Sequence, residues 1–111
     1  MQIAKYMRGS VTIVELAGDL DSVSAPASRD ELVQLASTGG RVLLDLSNMA
    51  YMSSAGLRVL LLVYREASGA GTTLALTGVP HMIRDVMAAT GFLGFFTVAD
   101  SVEAGLEELE S

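Results

Sequence analysis

The centre of the chain combines three structural signals in the stretch Val42-Leu-Leu-Asp-Leu-Ser-Asn-Met-Ala-Tyr-Met-Ser-Ser-Ala-Gly-Leu-Arg-Val-Leu-Leu-Leu62. The apolar run 42–46 has the length and composition of a strand that is buried on both faces. Further along, apolar residues follow the i, i+3, i+4, i+7 spacing of an amphipathic helix, namely Leu57, Leu60, Leu61 and Tyr64. Between the two lies the polar segment Ser53-Ser54-Ala55-Gly56, which we call the hinge.

The two serines of the hinge have two possible roles. A serine just before a helix is a typical N-cap, because its hydroxyl accepts a hydrogen bond from an unpaired backbone N–H. The same position also favours an added phosphate, since free N–H groups and the positive end of the helix dipole converge there. The residue types alone leave a plain cap and a modification site both open.

Outside this stretch the chain alternates strand and helix patterns. We predict strands at 3–7, 11–16, 42–46, 72–76 and 95–98, and helices at 25–37, 55–68, 80–90 and after the capping residues Asp100 or Ser101. The segment Gly18-Asp19-Leu20-Asp21 is predicted to be a loop, after which Ser22 or Ser24 caps the first helix. Such alternation predicts right-handed crossovers and one α/β domain over residues 1–111. Its sheet is mostly parallel, with an antiparallel N-terminal pair and helices packed on it.

The periodicity also predicts which helix residues face the core. They are Leu32, Leu35 and Ala36 in the first helix, Met82, Ile83, Val86, Met87 and Thr90 in the third, and Val102, Leu106 and Leu109 in the last.

The composition excludes several classes of function. Half of the 111 residues are apolar, the net charge is −6 and there is no cysteine. The negative charge argues against nucleic-acid binding. No apolar run approaches the roughly 20 residues that cross a bilayer, and the N-terminus lacks a signal-peptide pattern. We therefore expect a cytoplasmic protein that binds neither nucleic acid nor membrane.

Catalytic chemistry has little support in the sequence. The single histidine, His81, follows a proline at a predicted helix start, where a solvated side chain is the simplest interpretation. No set of residues has metal-ligand spacing, and the glycine pairs lack the Gly-Lys-Ser/Thr of a phosphate-binding loop. We therefore predict no catalytic residue, no metal and no cofactor, and hence a protein that is not an enzyme.

Four segments resemble one bacterial family. Asp45-Leu46-Ser47 and Tyr51-Met52-Ser53-Ser54-Ala55-Gly56-Leu57 are similar to the signature of anti-sigma factor antagonists, which are stand-alone STAS domains. Gly18-Asp19-Leu20-Asp21 resembles the family segment after the second strand, and Thr90-Gly91-Phe92 resembles its turn after the third helix. The resemblance runs from about Val11 to the end of the chain.

The resemblance implies a modification site. The family motif reads Asp-Ser-Ser/Thr-Gly-Leu, and its phosphorylated serine, which follows the Asp, falls on Ser54. The chain departs from the motif at Ser53, which stands where the family usually has that Asp. Ser53 is therefore the second candidate for modification.

The resemblance also implies a partner-switching cycle. The unmodified domain would bind an anti-sigma factor that is itself a serine kinase, and a serine phosphatase would reverse the phosphorylation that releases it. The implied partner-binding residues are Asp19, Asp21, Ser22, Ser53, Ser54, Ala55, Gly56, Leu57 and Arg58. An alternative is a constitutive STAS scaffold, or a transporter-associated interaction module, in which both serines are only caps. A small-molecule-binding domain or hydrolase has little support, and the oligomeric state stays open.

Overall fold

The computed structural model describes residues 1–110. Their strands are β1 (Gln2–Arg8), β2 (Val11–Leu20), β3 (Arg41–Met52), β4 (Thr73–Thr77) and β5 (Thr97–Ala99). Their α-helices are α1 (Ala25–Ala36), α2 (Ser54–Ala70), α3 (His81–Ala89) and α4 (Val102–Glu110), with a 3₁₀ helix at Phe92–Phe95.

The five strands form one mixed sheet in the order β1-β2-β3-β4-β5. β1 is antiparallel to β2, and the other neighbouring strands are parallel. This topology confirms the predicted α/β class, including the antiparallel N-terminal pair at one side of a mostly parallel sheet.

Both faces of the sheet are covered by helices. Because successive strand residues point to opposite faces, Leu44 joins the larger core with Leu32 of α1 and Leu60 of α2. Leu43 points the other way and joins a smaller cluster with Leu106 and Leu109 of α4. The strand that precedes the hinge is therefore buried on both faces, as its apolar run predicts.

The strands beside the hinge are longer than predicted. β2 continues through Leu20, although Gly18-Asp19-Leu20-Asp21 reads as a loop, and β3 continues to Met52 rather than ending near Leu46. Pairing between β2 and β3 persists through register shifts between Glu15 and Ala17 and between Gly18 and Asp19. The prediction was wrong here because irregular pairing tolerates glycine and polar residues that a regular strand disfavours.

Fewer residues of α3 face the core than the sequence predicts. Ile83 and Met87 are buried, but Met82 is 78% and Val86 51% exposed. Thr90 is exposed as well, and its hydroxyl donates to the backbone oxygen of Val86 at 2.9 Å. This nine-residue helix touches the core along one i, i+4 line only.

The last predicted strand was misplaced. Phe95 belongs to the 3₁₀ helix, and β5 begins at Thr97. The rings of Phe95 and Phe96 pack against Tyr64 of α2 with centroid distances of 5.7 and 5.4 Å. These two phenylalanines are therefore held by aromatic packing on a helix and not by pairing in the sheet.

The predicted inward faces of α1 and α4 are largely confirmed. Leu32, Ala36, Leu106 and Leu109 are buried, whereas Leu35 and Val102 are half-buried. The α4 cap is the hydroxyl of Ser101, which accepts from the Ala104 N–H at 3.0 Å. In the described part of the chain, no helix is both long and apolar enough to span a bilayer.

Candidate functional site

The hinge joins the end of β3 to the start of α2, and Ser53 is the N-cap of that helix. Its backbone is extended, with φ −86° and ψ 177°, and its Oγ accepts a hydrogen bond from the Gly56 N–H at 3.2 Å. An aspartate at an N-cap accepts the same bond with a carboxylate oxygen. Ser53 thus supplies the structural part of what the usual motif aspartate would provide, without its charge.

Ser54 is the first residue of α2 and differs from its neighbour in two ways. Its side chain is exposed, whereas that of Ser53 is half-buried. Within residues 1–110 its hydroxyl makes no hydrogen bond. The structure thus separates the two candidates: one hydroxyl is engaged in capping, and the other is free and faces solvent.

The position of the hinge is fixed by the sheet. β2 and β3 stay paired up to Leu20 and Met52, and the Ser53 N–H then donates to the Leu20 backbone oxygen at 3.0 Å. The segment 19–21 therefore lies directly beside the hinge. This places Asp19 and Asp21 on either side of the residue that holds Ser53.

Gly56 is required by this close approach. A Cβ at position 56 would overlap the Leu20 backbone oxygen and would lie 2.9 Å from the Cγ of Leu20 and 3.0 Å from the Cγ of Met52. The first turn of α2 can therefore pack on the ends of both strands only if position 56 has no side chain.

The carboxylate of Asp21 organises the turn that leads into α1. Its Oδ1 accepts from the Ser24 and Val23 N–H groups, each at 3.0 Å, and the Ser24 backbone bond is the largest reason why the pKa of Asp21 is lowered. The Ser24 hydroxyl donates to the Asp19 backbone oxygen at 2.9 Å rather than capping the helix. Ser24 rather than Ser22 thus occupies the N-cap position of α1, but among residues 1–110 neither its hydroxyl nor the Asp21 carboxylate is recorded as accepting from an N–H group inside the helix.

Three of the predicted partner-binding residues lie in one surface cleft. Ser22, Ala55 and Arg58 line a cleft of about 310 Å³ between α1 and α2, together with Ala25, Pro26, Arg29, Val59 and Leu62. Outside its lining, Asp19 and Ser54 are exposed, and Asp21 and Ser53 are half-buried.

Gly56 and Leu57 are buried, Leu57 being only 6% exposed. For these two residues the prediction of direct partner contact needs correction, because α2 turns them toward the core. They can support the surface around Ser54 only from beneath.

Sequence reasoning missed three contributors to this region. The Leu20 backbone oxygen has no sequence signal, since any residue would supply it. Ser24 was named only as a possible cap, and the bond from its hydroxyl to the Asp19 backbone oxygen was missed, although an aspartate followed by a serine three residues later is typical of a turn. Arg29 was missed because it shares the cleft with Arg58 only through the packing of α1 on α2.

Comparison with known proteins shows which family the chain matches. The STAS domain matches residues 2–105. BtrV of Bordetella bronchiseptica, assigned as an anti-sigma factor antagonist, is 40% identical over 90 residues, which cover 80% of this chain and 78% of BtrV.

Solved structures agree in fold. The crystal structure of an anti-sigma factor antagonist from Mycobacterium paratuberculosis superposes with a TM-score of 0.88 at 21% identity, covering 99% of this chain and 94% of that one. The anti-sigma factor antagonist SpoIIAA in its unphosphorylated form gives 0.78 at 17% identity, with 98% and 96% covered. SpoIIAA of Bacillus in its phosphorylated form gives 0.72 at 17%, with 96% and 98% covered. With a family match over nearly its whole length and the corresponding fold, the chain belongs to the STAS domain family.

Proposed function

We propose that this protein is an anti-sigma factor antagonist whose binding is controlled by phosphorylation of Ser54. In its unmodified form it binds an anti-sigma factor that is also a serine kinase, and a phosphatase restores it after modification. The observation that carries the proposal is the free, solvent-facing hydroxyl of Ser54 on the first turn of α2. The protein acts in this cycle as a regulatory substrate rather than as an enzyme.

Ser54 is a better phosphate acceptor than Ser53. Phosphorylation of Ser53 would turn the oxygen that caps the Gly56 N–H into a bulky ester next to the Leu20 backbone. Phosphorylation of Ser54 breaks no hydrogen bond recorded in residues 1–110. Free N–H groups and the dipole of α2 stabilise the added charge by about 0.3–1 kcal/mol.

The added charge explains how modification would release the partner. A phosphoryl group brings about −1.5 to −2 charges at pH 7. It would stand on a surface where Asp19 and Asp21 already flank the hinge. A partner fitted to the neutral hydroxyl would meet added bulk, and it would remove the water that screens these like charges from one another. A penalty of about 2.8 kcal/mol weakens binding roughly a hundredfold, and a desolvated charge without a partner costs that much or more.

The functions given to two similar proteins support this proposal. BtrV is assigned as an anti-sigma factor antagonist, and SpoIIAA is an anti-sigma factor antagonist whose phosphorylated form has also been solved.

The proposal is tested by incubating the protein with ATP and its cognate kinase. We expect the intact mass to increase by one phosphoryl group, with peptide mapping to Ser54, and Ser54→Ala to abolish the increase. In a binding assay Ser54→Ala retains the kinase and Ser54→Asp loses it. Ser53→Asp serves as the matched control, because it places the same charge at the capping position and is expected to keep binding.

Two outcomes would contradict this. Equal kinase binding by Ser54→Ala and Ser54→Asp would show that charge at this position does not control the complex. No phosphate uptake with a kinase that does bind the domain would favour the constitutive STAS scaffold instead.

A further inference from the structure

We propose that Arg58 is the counter-ion that captures the phosphoryl group on Ser54, an inference that rests on Ser54 being the modified residue. Captured in this way, the phosphoryl group would occupy a guanidinium that the unmodified domain presents in the cleft between α1 and α2. Modification would then change the surface that this protein presents to its partner in two ways: it would add an anion, and it would withdraw a cation.

The helix brings the two residues together. Arg58 follows Ser54 by one helical turn, an i, i+4 relationship in which the Cβ atoms lie about 5–6 Å apart. Side chains on a helix lean toward its N-terminus, so a long side chain at position 58 covers the turn that contains Ser54. Both residues are exposed, so no buried group has to move for them to meet.

Arg58 is available for this role because its guanidinium is unpaired within the described residues 1–110. The structure records no ion pair or side-chain hydrogen bond for Arg58 among residues 1–110. Arg29, the other cation of the cleft, is already bound to Asp30, with its Nη2 at 3.3 Å from Oδ1. A guanidinium binds a phosphoryl group through two parallel N–H donors, which a free Arg58 can supply.

The other charged groups near the hinge do not replace Arg58. Asp19 and Asp21 come from the strand end beside it and would repel a phosphoryl group. The Asp21 carboxylate is committed to the Val23 and Ser24 N–H groups. Arg29 approaches from α1 but is shared with Asp30. The Met1 ammonium acts on the Asp21 carboxylate, whose pKa it helps to lower. Arg58 is therefore the cation on the same helix as Ser54 that can offset this repulsion.

The test uses the full chain with phosphoserine incorporated at position 54 during synthesis, so that no kinase is needed. A ³¹P NMR titration follows the second ionisation of the phosphoryl group. Since a nearby guanidinium favours the dianion, Arg58→Gln is expected to move the titration midpoint to higher pH by about 0.3–0.5 pH unit. Arg58→Lys should retain part of the effect, because it keeps the charge but loses the two-pronged contact.

Arg65→Gln is the matched control. Arg65 is exposed on the same helix, roughly 16 Å from Ser54 along the axis at 1.5 Å per residue. The Arg65→Gln substitution removes the same charge from the protein as Arg58→Gln, so any general effect of net charge appears in both variants. We expect its midpoint to equal that of the unsubstituted phosphoprotein.

Equal midpoints for Arg58→Gln and Arg65→Gln would overturn the proposal. A second readout is the Nε–H resonance of Arg58, which should shift on phosphorylation of the unsubstituted chain, and an unchanged resonance would also count against the pairing. Both measurements are independent of any kinase. A kinase that failed to modify Ser54 would therefore refute the proposed function without altering this titration.

Discussion

Gly56 controls the distance between the first turn of α2 and the two strand ends on which it packs. A Cβ there would overlap the Leu20 backbone oxygen, which cannot retreat freely because it accepts the Ser53 N–H. In the same helix Gly69 has open space: apart from its chain neighbours and the adjacent helix backbone, no heavy atom of residues 1–110 lies within 4 Å of an added Cβ. One helix therefore contains a glycine that packing requires and a glycine that it does not.

This contrast predicts opposite effects of the same substitution. Gly56→Ala should lower the free energy of unfolding by about 1–3 kcal/mol, because overpacking outweighs the better helix propensity of alanine. Gly69→Ala should raise it by up to about 1 kcal/mol, since only propensity changes. Urea denaturation of the two variants measures both values. A Gly56→Ala protein as stable as Gly69→Ala would show that the strand ends are not held against the helix.

The element that organises the acidic side of the hinge is the turn between β2 and α1. Its centre is the Asp21 carboxylate, whose pKa is held below the ordinary value of 3.8 mainly by the Ser24 N–H. A carboxyl group whose pKa is lower in the folded than in the unfolded state stabilises the fold above the unfolded value, and this contribution is lost as pH falls through the folded value.

Asp21→Asn should therefore destabilise the protein at neutral pH and have a smaller effect in acid. The asparagine keeps the shape and one accepting oxygen but not the charge that strengthens the bonds from Val23 and Ser24. The difference in unfolding free energy between the two proteins, measured from pH 7 down to below 3.8, should shrink as the pH decreases. A difference that stayed constant over this range would assign the turn's stability to shape alone.

The sequence predicted elements better than it predicted their ends. The core strand of β3, the start of α2 and the order of strands and helices follow from local periodicity, which depends on residue type alone. The extensions of β2 to Leu20 and of β3 to Met52 do not, because each depends on backbone pairing with the other across about 30 intervening residues. The exposure of Met82 could not be predicted either, because a helical period does not show how much of a short helix contacts the core.

The candidate site could be predicted from the sequence only in part, for a similar reason. The hinge serines stand in a recognisable motif, so their position at a helix start could be read from residue types. Which hydroxyl is engaged could not be, because the answer depends on the extended backbone of Ser53 and the resulting bond to Gly56. The cleft that contains Arg29 and Arg58 arises only when α1 packs on α2.

At the scale of the whole molecule, the two faces of the sheet differ in how much core they contain. The face opposite the hinge helix is covered by α4 through a small cluster, in which Leu106 and Leu109 meet Val11, Ile13, Leu43 and Ala75. Gly105 lets α4 approach closely, because a Cβ there would lie 2.8 Å from a methyl group of Leu43. A cluster of this size has few neighbours that could fill a gap.

We therefore expect Leu106→Ala to cost about 2–5 kcal/mol of unfolding free energy, as for other buried leucines. Glu107→Ala, on the exposed side of the same helix, should stay within about 0.5 kcal/mol of the unsubstituted protein. Chemical denaturation of both variants, monitored by circular dichroism, provides the measurement. Similar values for the two would indicate that α4 contributes little to the fold.

The bond from the Ser53 N–H to the Leu20 backbone oxygen joins two main-chain groups. No side chain takes part in it, so among the standard amino acids only proline at position 53 would remove the donor. Substitution of Ser53 by any residue other than proline therefore leaves this bond in place, whereas the buried side chain of Leu20 is held by the core. Descendants of this protein can acquire different recognition surfaces around the hinge without having to rebuild the scaffold that presents it.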